Sequence, residues 1–202
     1  MKRILLVEDQ PITLRNLSDF LRLRFAGVVV DPAANEDEAR ELLAGYVRDG
    51  KRLDAAVLDI MVPRSKGTSP IVSTLCEDVR RRFPGAIIGH ITAHVKDGPV
   101  WEHLARSDHF CINKTDEPEW EAALVRRLVA AKIENALDAM APERSSTVLR
   151  GVGLTGRHQG ATYRRADLIL DITRYWKLLE PPLQSRIRKH FGLGDDDEPV
   201  AL

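Results

Sequence analysis

The chain has 202 residues, of which 44% are hydrophobic and 30% are charged, a composition typical of a soluble globular protein. Its longest apolar runs have four or five residues, whereas a membrane-spanning helix needs about 20, so we expect no membrane association. The N-terminus leads straight into a strand pattern without a signal-peptide cleavage region, and Cys76 and Cys111 lack metal-ligand spacing. Both features favour a cytoplasmic protein.

The formal net charge is zero, but the charge is unevenly distributed. Residues 1–142 have a net charge of −2, and residues 143–192 carry ten Lys or Arg against four Asp or Glu, a net charge of +6. The last ten residues then add four carboxylates, at positions 195–198. This asymmetry predicts a C-terminal segment that differs in character from the rest of the chain.

Five short apolar runs alternate with helix patterns over the first 114 residues. The runs are 4–7, 28–30, 55–58, 86–88 and 110–112, and they are continuous, as is typical of parallel strands covered on both faces. Helices are predicted at 11–24 (with Ile12, Leu17, Phe20 and Leu21 on one stripe), 36–48 (Ala39, Leu42, Leu43 and Tyr46), 72–83 and 98–106. This order predicts an α/β fold with a doubly wound, five-stranded parallel sheet.

Four of the five runs end at polar residues: Glu8 and Asp9 after the first, Asp59 after the third, Thr92 after the fourth and Lys114 after the fifth. In open α/β sheets, ligands bind beyond the carboxyl ends of the strands, so we expect a site at this edge. Each motif alone has an ordinary explanation, such as a solvated turn, a helix cap or a surface lysine. Their joint occurrence in this order is the informative feature.

These residues resemble the receiver domain of two-component response regulators, over about residues 1–130. The resemblance implies a flavodoxin-like strand order 2-1-3-4-5, which makes the first and third strands neighbours and gathers Glu8, Asp9 and Asp59 into one acidic cluster. Three adjacent carboxylates need a cation to remain ionised, and oxygen ligands suit Mg²⁺. The resemblance adds the backbone carbonyl of Met61 as a further ligand.

The resemblance also implies that Asp59 accepts a phosphoryl group from a sensor histidine kinase or a phosphotransfer protein. Lys114 and Mg²⁺ would neutralise the phosphoryl oxygens, and the Thr92 hydroxyl would donate a hydrogen bond to one of them. The added charge of about −1.5 to −2 would switch the surface formed by helix 4, strand 5 and helix 5. The chain would then be a phosphoprotein of signal transduction rather than an enzyme, and a degenerate receiver that acts as a protein-interaction adaptor is the alternative.

Several positions depart from the family pattern. Thr115 follows Lys114 where the family usually has proline, so we expect no cis peptide there. Cys111 occupies the position of the usual aromatic switch residue, with Phe110 on the opposite face of its strand. The polar stretch 62–73 predicts a late start for the third helix, and the histidines at 90, 94, 103 and 109 are expected to be scattered surface residues rather than a metal site.

Beyond residue 115 the sequence predicts a long helix from Glu117 to about residue 140, an extension of the fifth receiver helix. It has two apolar stripes, one with Leu124, Leu128 and Leu137 and one with Ala122, Val125, Val129, Ile133, Ala136 and Met140. One stripe can cover the sheet, which leaves the other for a homodimer. Residues 141–161 are predicted to be a linker and residues 162–202 a helical output segment with an acidic tail. The basic charge leaves two outputs open: DNA binding as a transcription regulator, or docking on a protein target.

Overall fold

The computed structural model describes residues 1–25, 27–94, 97–105, 109–115 and 119–138, together with the single residues Trp176, Pro181, Gln184, Ser185 and Arg188. The chain divides into two compact units, Met1–Val125 and Arg126–Leu202. Within the described residues, no helix combines the length and the hydropathy that a bilayer crossing requires.

Strands and helices alternate through the first unit. In chain order the elements are β1 (Arg3–Val7), α1 (Pro11–Arg24), β2 (Val29–Ala33), α2 (Glu36–Arg48), β3 (Ala55–Asp59), β4 (Met61–Pro63), β5 (Pro70–Val72), α3 (Leu75–Arg82), β6 (Ile87–Thr92), α4 (Gly98–Ala105), β7 (Phe110–Asn113) and α5 (Trp120–Asp138). Five strands form one parallel sheet in the order β2-β1-β3-β6-β7. Counted along this sheet alone, the order is 2-1-3-4-5, so the predicted doubly wound fold is confirmed.

The two central strands are buried on both faces. All five residues of β3 are buried, as are the last four of β1, and this agrees with the continuous apolar runs of the sequence. The register pairs Val7 with Leu58 and Asp59 with Ile91. The carboxyl ends of β1, β3 and β6 therefore lie level at one edge of the sheet.

Local sequence signals set the ends of α2. The Asn35 side chain accepts a hydrogen bond from the Glu38 backbone N–H at 3.0 Å, and the Glu38 carboxylate accepts one from the Ala34 N–H at 2.8 Å. This reciprocal capping satisfies N–H groups that the first turn leaves unpaired. Gly50, just past the helix, has φ +62°, a conformation that glycine adopts without a steric penalty.

The prediction that Ile12 belongs to the buried stripe of α1 is wrong. Leu17 and Leu21 are buried, but Ile12 is 77% exposed. Ile12 lies in the first turn of α1, immediately after the loop that leaves β1, so the helix has no strand beneath it at this point. The sequence pattern shows the face of a helix but not where its neighbour ends.

The sequence also did not reveal a small antiparallel hairpin. β4 and β5 pair with Met61 opposite Val72 and Pro63 opposite Pro70, and Gly67 in the connection has φ +84°. The proline-flanked, polar stretch lacks a strand signal. The hairpin lies between β3 and α3 in the chain, and α3 begins at Leu75. The predicted late start of this helix is therefore confirmed.

The helix α5 begins at Trp120 in the described chain, and residues 116–118 and 139–175 lie outside it. The predicted start at Glu117, the extension to residue 140 and the linker at 141–161 therefore lie outside the described residues. So does most of the helical segment predicted at 162–202. Leu124 and Leu128 of one apolar stripe are buried, and so are Val125 and Val129 of the other. The homodimer through this helix stays a prediction.

In the second unit, Trp176 is 1% exposed. Its carbonyl accepts a hydrogen bond from Gln184 Nε2 at 2.7 Å, and the Arg188 guanidinium lies 5.4 Å from its ring centroid. Part of the C-terminal segment thus packs around a tryptophan. A cation–π contact of this kind contributes about 0.5–1 kcal/mol.

Candidate functional site

Three carboxylates meet at the carboxyl edge of the sheet. Glu8 and Asp9 follow β1 and Asp59 ends β3, and one carboxylate oxygen of each lies within 4.8 Å of the others. Glu8 is fully buried, Asp59 is 4% exposed and Asp9 is partly exposed. We call these three residues the carboxylate cluster. Their approach follows from the topology, because β1 and β3 are neighbours.

Lys114 compensates the two buried carboxylates. Its Nζ donates to Asp59 Oδ2 at 2.6 Å and to Glu8 Oε2 at 2.8 Å. Burial, and then the charge of Asp59, raises the pKa of Glu8, while Lys114 opposes the rise. Burial alone would lower the pKa of Lys114, but Asp59 and Glu8 outweigh it, so the pKa of Lys114 is raised. Lys114 therefore remains charged.

The donor set fits a divalent cation. With all four groups ionised, the carboxylate cluster and Lys114 carry a net charge of −2, which one divalent ion neutralises. The donors are oxygens, two of them on nearly inaccessible side chains and one, on Asp9, open to solvent. Mg²⁺ prefers such a set, because it binds a few carboxylates and keeps part of its water.

The hairpin positions Met61 beside Asp59. The Met61 N–H donates to Asp59 Oδ1 at 3.1 Å, so both carboxylate oxygens of Asp59 have a donor. Ser73 N donates to the Ile60 carbonyl at 2.8 Å, which makes Met61 and Val72 a non-hydrogen-bonded pair. The Met61 carbonyl is therefore not used in pairing with β5, consistent with the ligand role that the resemblance implies.

Thr92 lies at the same edge and is fully buried. Its carbonyl accepts a hydrogen bond from the Lys114 N–H at 2.8 Å, which ties the end of β6 to the residue after β7. Its hydroxyl oxygen accepts from the His94 N–H at 3.0 Å. The structure thus joins Thr92 to the loop before α4, and the hydroxyl can donate its own proton elsewhere.

Cys111 and Phe110 lie on opposite faces of β7, as strand alternation requires. Phe110 is paired with Gly89, and a Cβ added to Gly89 would lie 2.2 Å from the Phe110 ring. Burial, with a smaller effect of Asp59, raises the pKa of the Cys111 thiol to about 11, so Cys111 is no thiolate nucleophile. The described residues contain no cis peptide bond, and the expectation for Lys114–Thr115 is confirmed.

The prediction for the histidines is wrong for His90. His94 is a surface residue, 56% exposed, with Nδ1 3.2 Å from Asp97 Oδ2. His90, however, is 2% exposed in the middle of β6, and its ring lies edge-on to that of His103 with centroids 5.1 Å apart. Burial, followed by the charges of His103 and His109, lowers the pKa of His90 to about 3. Since β6 is covered on both faces, a mid-strand histidine becomes a core residue.

No protein-family model and no curated protein matches the sequence. Among solved structures, a CheY-like response regulator receiver domain protein from Methanospirillum hungatei is 21% identical, with 67% of this chain and 96% of that chain covered and a TM-score of 0.49. A response regulator from Burkholderia pseudomallei, with a phosphorylated aspartic acid, a calcium ion and citrate, is 18% identical (78% and 88% covered, TM-score 0.47). A response regulator from Thermotoga maritima in complex with Mg²⁺ and BeF is 27% identical (63% and 99% covered, TM-score 0.43).

The strand order carries the assignment of the fold. A parallel sheet of order 2-1-3-4-5 with alternating helices is the flavodoxin-like arrangement, which binds its ligands between the first and third strands. The carboxylate cluster lies at this point. The described N-terminal part of the chain therefore has the fold of a response regulator receiver domain, followed by a C-terminal extension that the comparisons leave unassigned.

Proposed function

We propose that the protein is a response regulator of a two-component phosphorelay and that Asp59 is its phosphoryl acceptor. The observation that carries this proposal is the contact of one ammonium, Lys114 Nζ, with both buried carboxylates, at 2.6 Å from Asp59 and 2.8 Å from Glu8. A buried carboxylate that is paired with a cation and neighboured by two more carboxylates is the arrangement that phosphoryl transfer to aspartate needs.

In the proposed reaction, an Asp59 carboxylate oxygen attacks the phosphorus of a phosphohistidine on a sensor kinase or phosphotransfer protein. The new P–O bond forms as the P–N bond breaks, and the imidazole leaves with the electron pair. Lys114, held beside Asp59, neutralises part of the charge on the phosphoryl oxygens. Glu8, Asp9, Asp59 and the Met61 carbonyl would hold Mg²⁺, which supplies further positive charge to these oxygens when bound.

Phosphorylation adds a charge of about −1.5 to −2 next to the end of β6. The Thr92 hydroxyl can donate to a phosphoryl oxygen, and Thr92 already holds the His94 N–H at 3.0 Å. A shift of Thr92 toward the phosphoryl group would therefore pull on the loop that leads into α4. We propose that the surface of α4, β7 and α5 changes in this way, as in a two-state switch.

The output of the chain is a further part of the proposal. A homodimer through α5 and a basic segment that binds DNA or a protein target both remain predictions, and residues 143–175 lie outside the described chain. A degenerate receiver that serves only as an adaptor is the competing function. A degenerate receiver does not require a lysine that contacts both Glu8 and Asp59. This contact therefore favours the phosphorylatable form.

The test is phosphorylation of the full-length protein with acetyl phosphate in the presence of Mg²⁺, followed by intact mass. Wild type should gain one acid-stable, base-labile phosphoryl group, and Asp59→Asn should gain none. Asp19→Asn is the matched control. Asp19 is 65% exposed on α1, and within the described chain its ion pair is with Arg22. Equal labelling of wild type and Asp59→Asn, or no labelling of wild type, would refute the proposal.

A further inference from the structure

A second group of metal-ligating side chains lies within the first unit, away from the carboxylate cluster. Cys76 comes from α3, His90 from β6 and His103 from α4, and one donor atom of each lies within 4.8 Å of the others. We call these three residues the thiol–imidazole cluster. Cys76 and His90 are buried, and His103 is partly exposed.

The hydrogen bonding of this cluster is incomplete. Neither ring nitrogen of His90 makes a hydrogen bond of ordinary geometry in the described part of the chain, although the Leu58 backbone approaches the ring, and the buried Nε2 of His103 makes none either. Buried polar atoms are normally satisfied, and leaving one without a partner costs about 1–3 kcal/mol. Three of the five unsatisfied buried side-chain atoms among the described residues belong to this cluster. Each neutral imidazole keeps one lone pair, so the cluster offers two imidazole donors and a thiol to an added group.

We propose that Cys76, His90 and His103 bind a thiophilic divalent transition metal ion of the Zn²⁺ type. Zn²⁺ takes thiolate and imidazole donors at about 2.3 Å and about 2.0–2.1 Å, so tetrahedral donors lie roughly 3.3–3.8 Å apart. The cluster approaches this spacing already, and small rotations of three side chains would complete it. A water or another exogenous ligand would take the fourth position.

The donor chemistry separates this site from the carboxylate cluster. Sulfur and imidazole donors favour Zn²⁺ and related ions, while carboxylate oxygens favour Mg²⁺. On binding, the S–H bond of Cys76 is replaced by a sulfur–metal bond and the proton passes to solvent, so no oxidant or reductant is involved. His109 is not counted as a ligand, because its Nε2 lies 3.3 Å from Arg80 NH2.

Binding would tie three elements of the first unit to one ion. α3, β6 and α4 would share one ion, and β6 is the strand that ends at Thr92. The competing explanation is a plain core, in which a thiol acts as a small apolar group and two imidazoles pack edge to face at 84°. The two explanations make opposite predictions for added metal.

The experiment is titration of the untagged full-length protein with Co²⁺, read as thiolate-to-cobalt charge-transfer absorption, followed by displacement with Zn²⁺. We expect one equivalent to produce the band and Zn²⁺ to remove it. Cys76→Ala should lose the band, and Cys111→Ala, which removes the other cysteine of the chain, should keep it. No band in wild type, or the same band in Cys76→Ala, would overturn the proposal.

A second pair of variants covers the possibility that Cys76→Ala fails to fold. His103→Gln changes a partly exposed ligand, and His94→Gln changes an exposed histidine. In competition with a chromophoric chelator, His103→Gln should bind Zn²⁺ at least about tenfold more weakly, the scale seen when metal-site residues are altered. His94→Gln should bind as wild type, and equal affinities of the two variants would contradict the site. Asp59→Asn should keep the cobalt band, so this proposal can fail or hold independently of the phosphoryl acceptor.

Discussion

The carboxylate cluster and the thiol–imidazole cluster lie against the same parallel sheet but solve the burial of polar groups differently. In the first, Glu8 and Asp59 are nearly inaccessible, yet Lys114 pairs with both of them. In the second, His90 is equally inaccessible, but neither of its nitrogens makes a hydrogen bond of ordinary geometry in the described chain. One site is charged and largely satisfied, whereas the other is neutral and unsatisfied.

The difference follows from where each cluster sits on the strands. Glu8, Asp59 and Lys114 lie at or just beyond strand ends, where loops and water allow charged groups to be arranged. His90 lies inside β6, where the sheet occupies the backbone groups and the ring packs against those of His103 and His109. A polar side chain at such a position has few possible partners, so its companions must come from neighbouring elements, here α3 and α4.

The largest effect is expected where the charge compensation of the carboxylate cluster is broken. Lys114→Met would leave Glu8 and Asp59 buried without their cation, and we expect it to lower the free energy of unfolding by about 3–5 kcal/mol. Urea denaturation without Mg²⁺ measures this loss, and added Mg²⁺ should recover part of it. Lys51→Met is the control, because solvent screens the exposed pair of Lys51 with Asp49, so its loss should change stability little. Equal losses in both variants would show that Lys114 does not hold the cluster.

A smaller effect is expected on β6, the strand that carries His90 and pairs with β3. Gly89→Ala would place a Cβ 2.2 Å from the Phe110 ring, and overpacking of this kind costs about 1–3 kcal/mol. Gly85→Ala is the matched control, because a Cβ there meets nothing within 4 Å. If the clash is the cause, the loss in Gly89→Ala should largely vanish in a Phe110→Ala background, a coupling that a double-mutant cycle detects. Additive losses would place the cause elsewhere.

The comparison also shows what could be predicted from the sequence. The bounds of α1 and α2 agree with the prediction, because Pro11, Asn35 and Gly50 mark helix ends by local chemistry. The approach of Glu8 to Asp59 follows from strand order, since both residues end neighbouring strands. The sequence therefore predicts the bounds of these helices and the edge of the sheet at which Glu8 and Asp59 meet.

Features that depend on packing between distant segments could not be predicted in the same way. Nothing in the sequence indicates that the Phe110 ring lies on Gly89, or that α3 and α4 bring Cys76 and His103 to His90. His90 and His103 come from different elements, so their spacing along the chain carries no information about their approach. The hairpin β4–β5 was missed because its strands have three residues each.

The smallest expected effect is a gain in stability rather than a loss. It tests whether the buried His90 of the thiol–imidazole cluster costs stability. In metal-free protein, His90→Leu removes a buried imidazole without hydrogen bonds and fills most of its space with an apolar group. We expect the free energy of unfolding to rise by about 1 kcal/mol. Ser73→Ala is the contrasting variant, because the Ser73 hydroxyl donates to the buried Glu36 carboxylate at 2.8 Å, and its loss should cost about 1 kcal/mol.

Added Zn²⁺ should then reverse the order of wild type and His90→Leu. Wild type gains stability in proportion to the logarithm of the metal concentration above its dissociation constant, and His90→Leu, which lacks a ligand, gains none. Thermal unfolding with and without Zn²⁺ measures both states of each protein. If His90→Leu is less stable than wild type even without metal, the imidazole is a well-packed core residue and the contrast between the two clusters is smaller than their hydrogen bonds indicate.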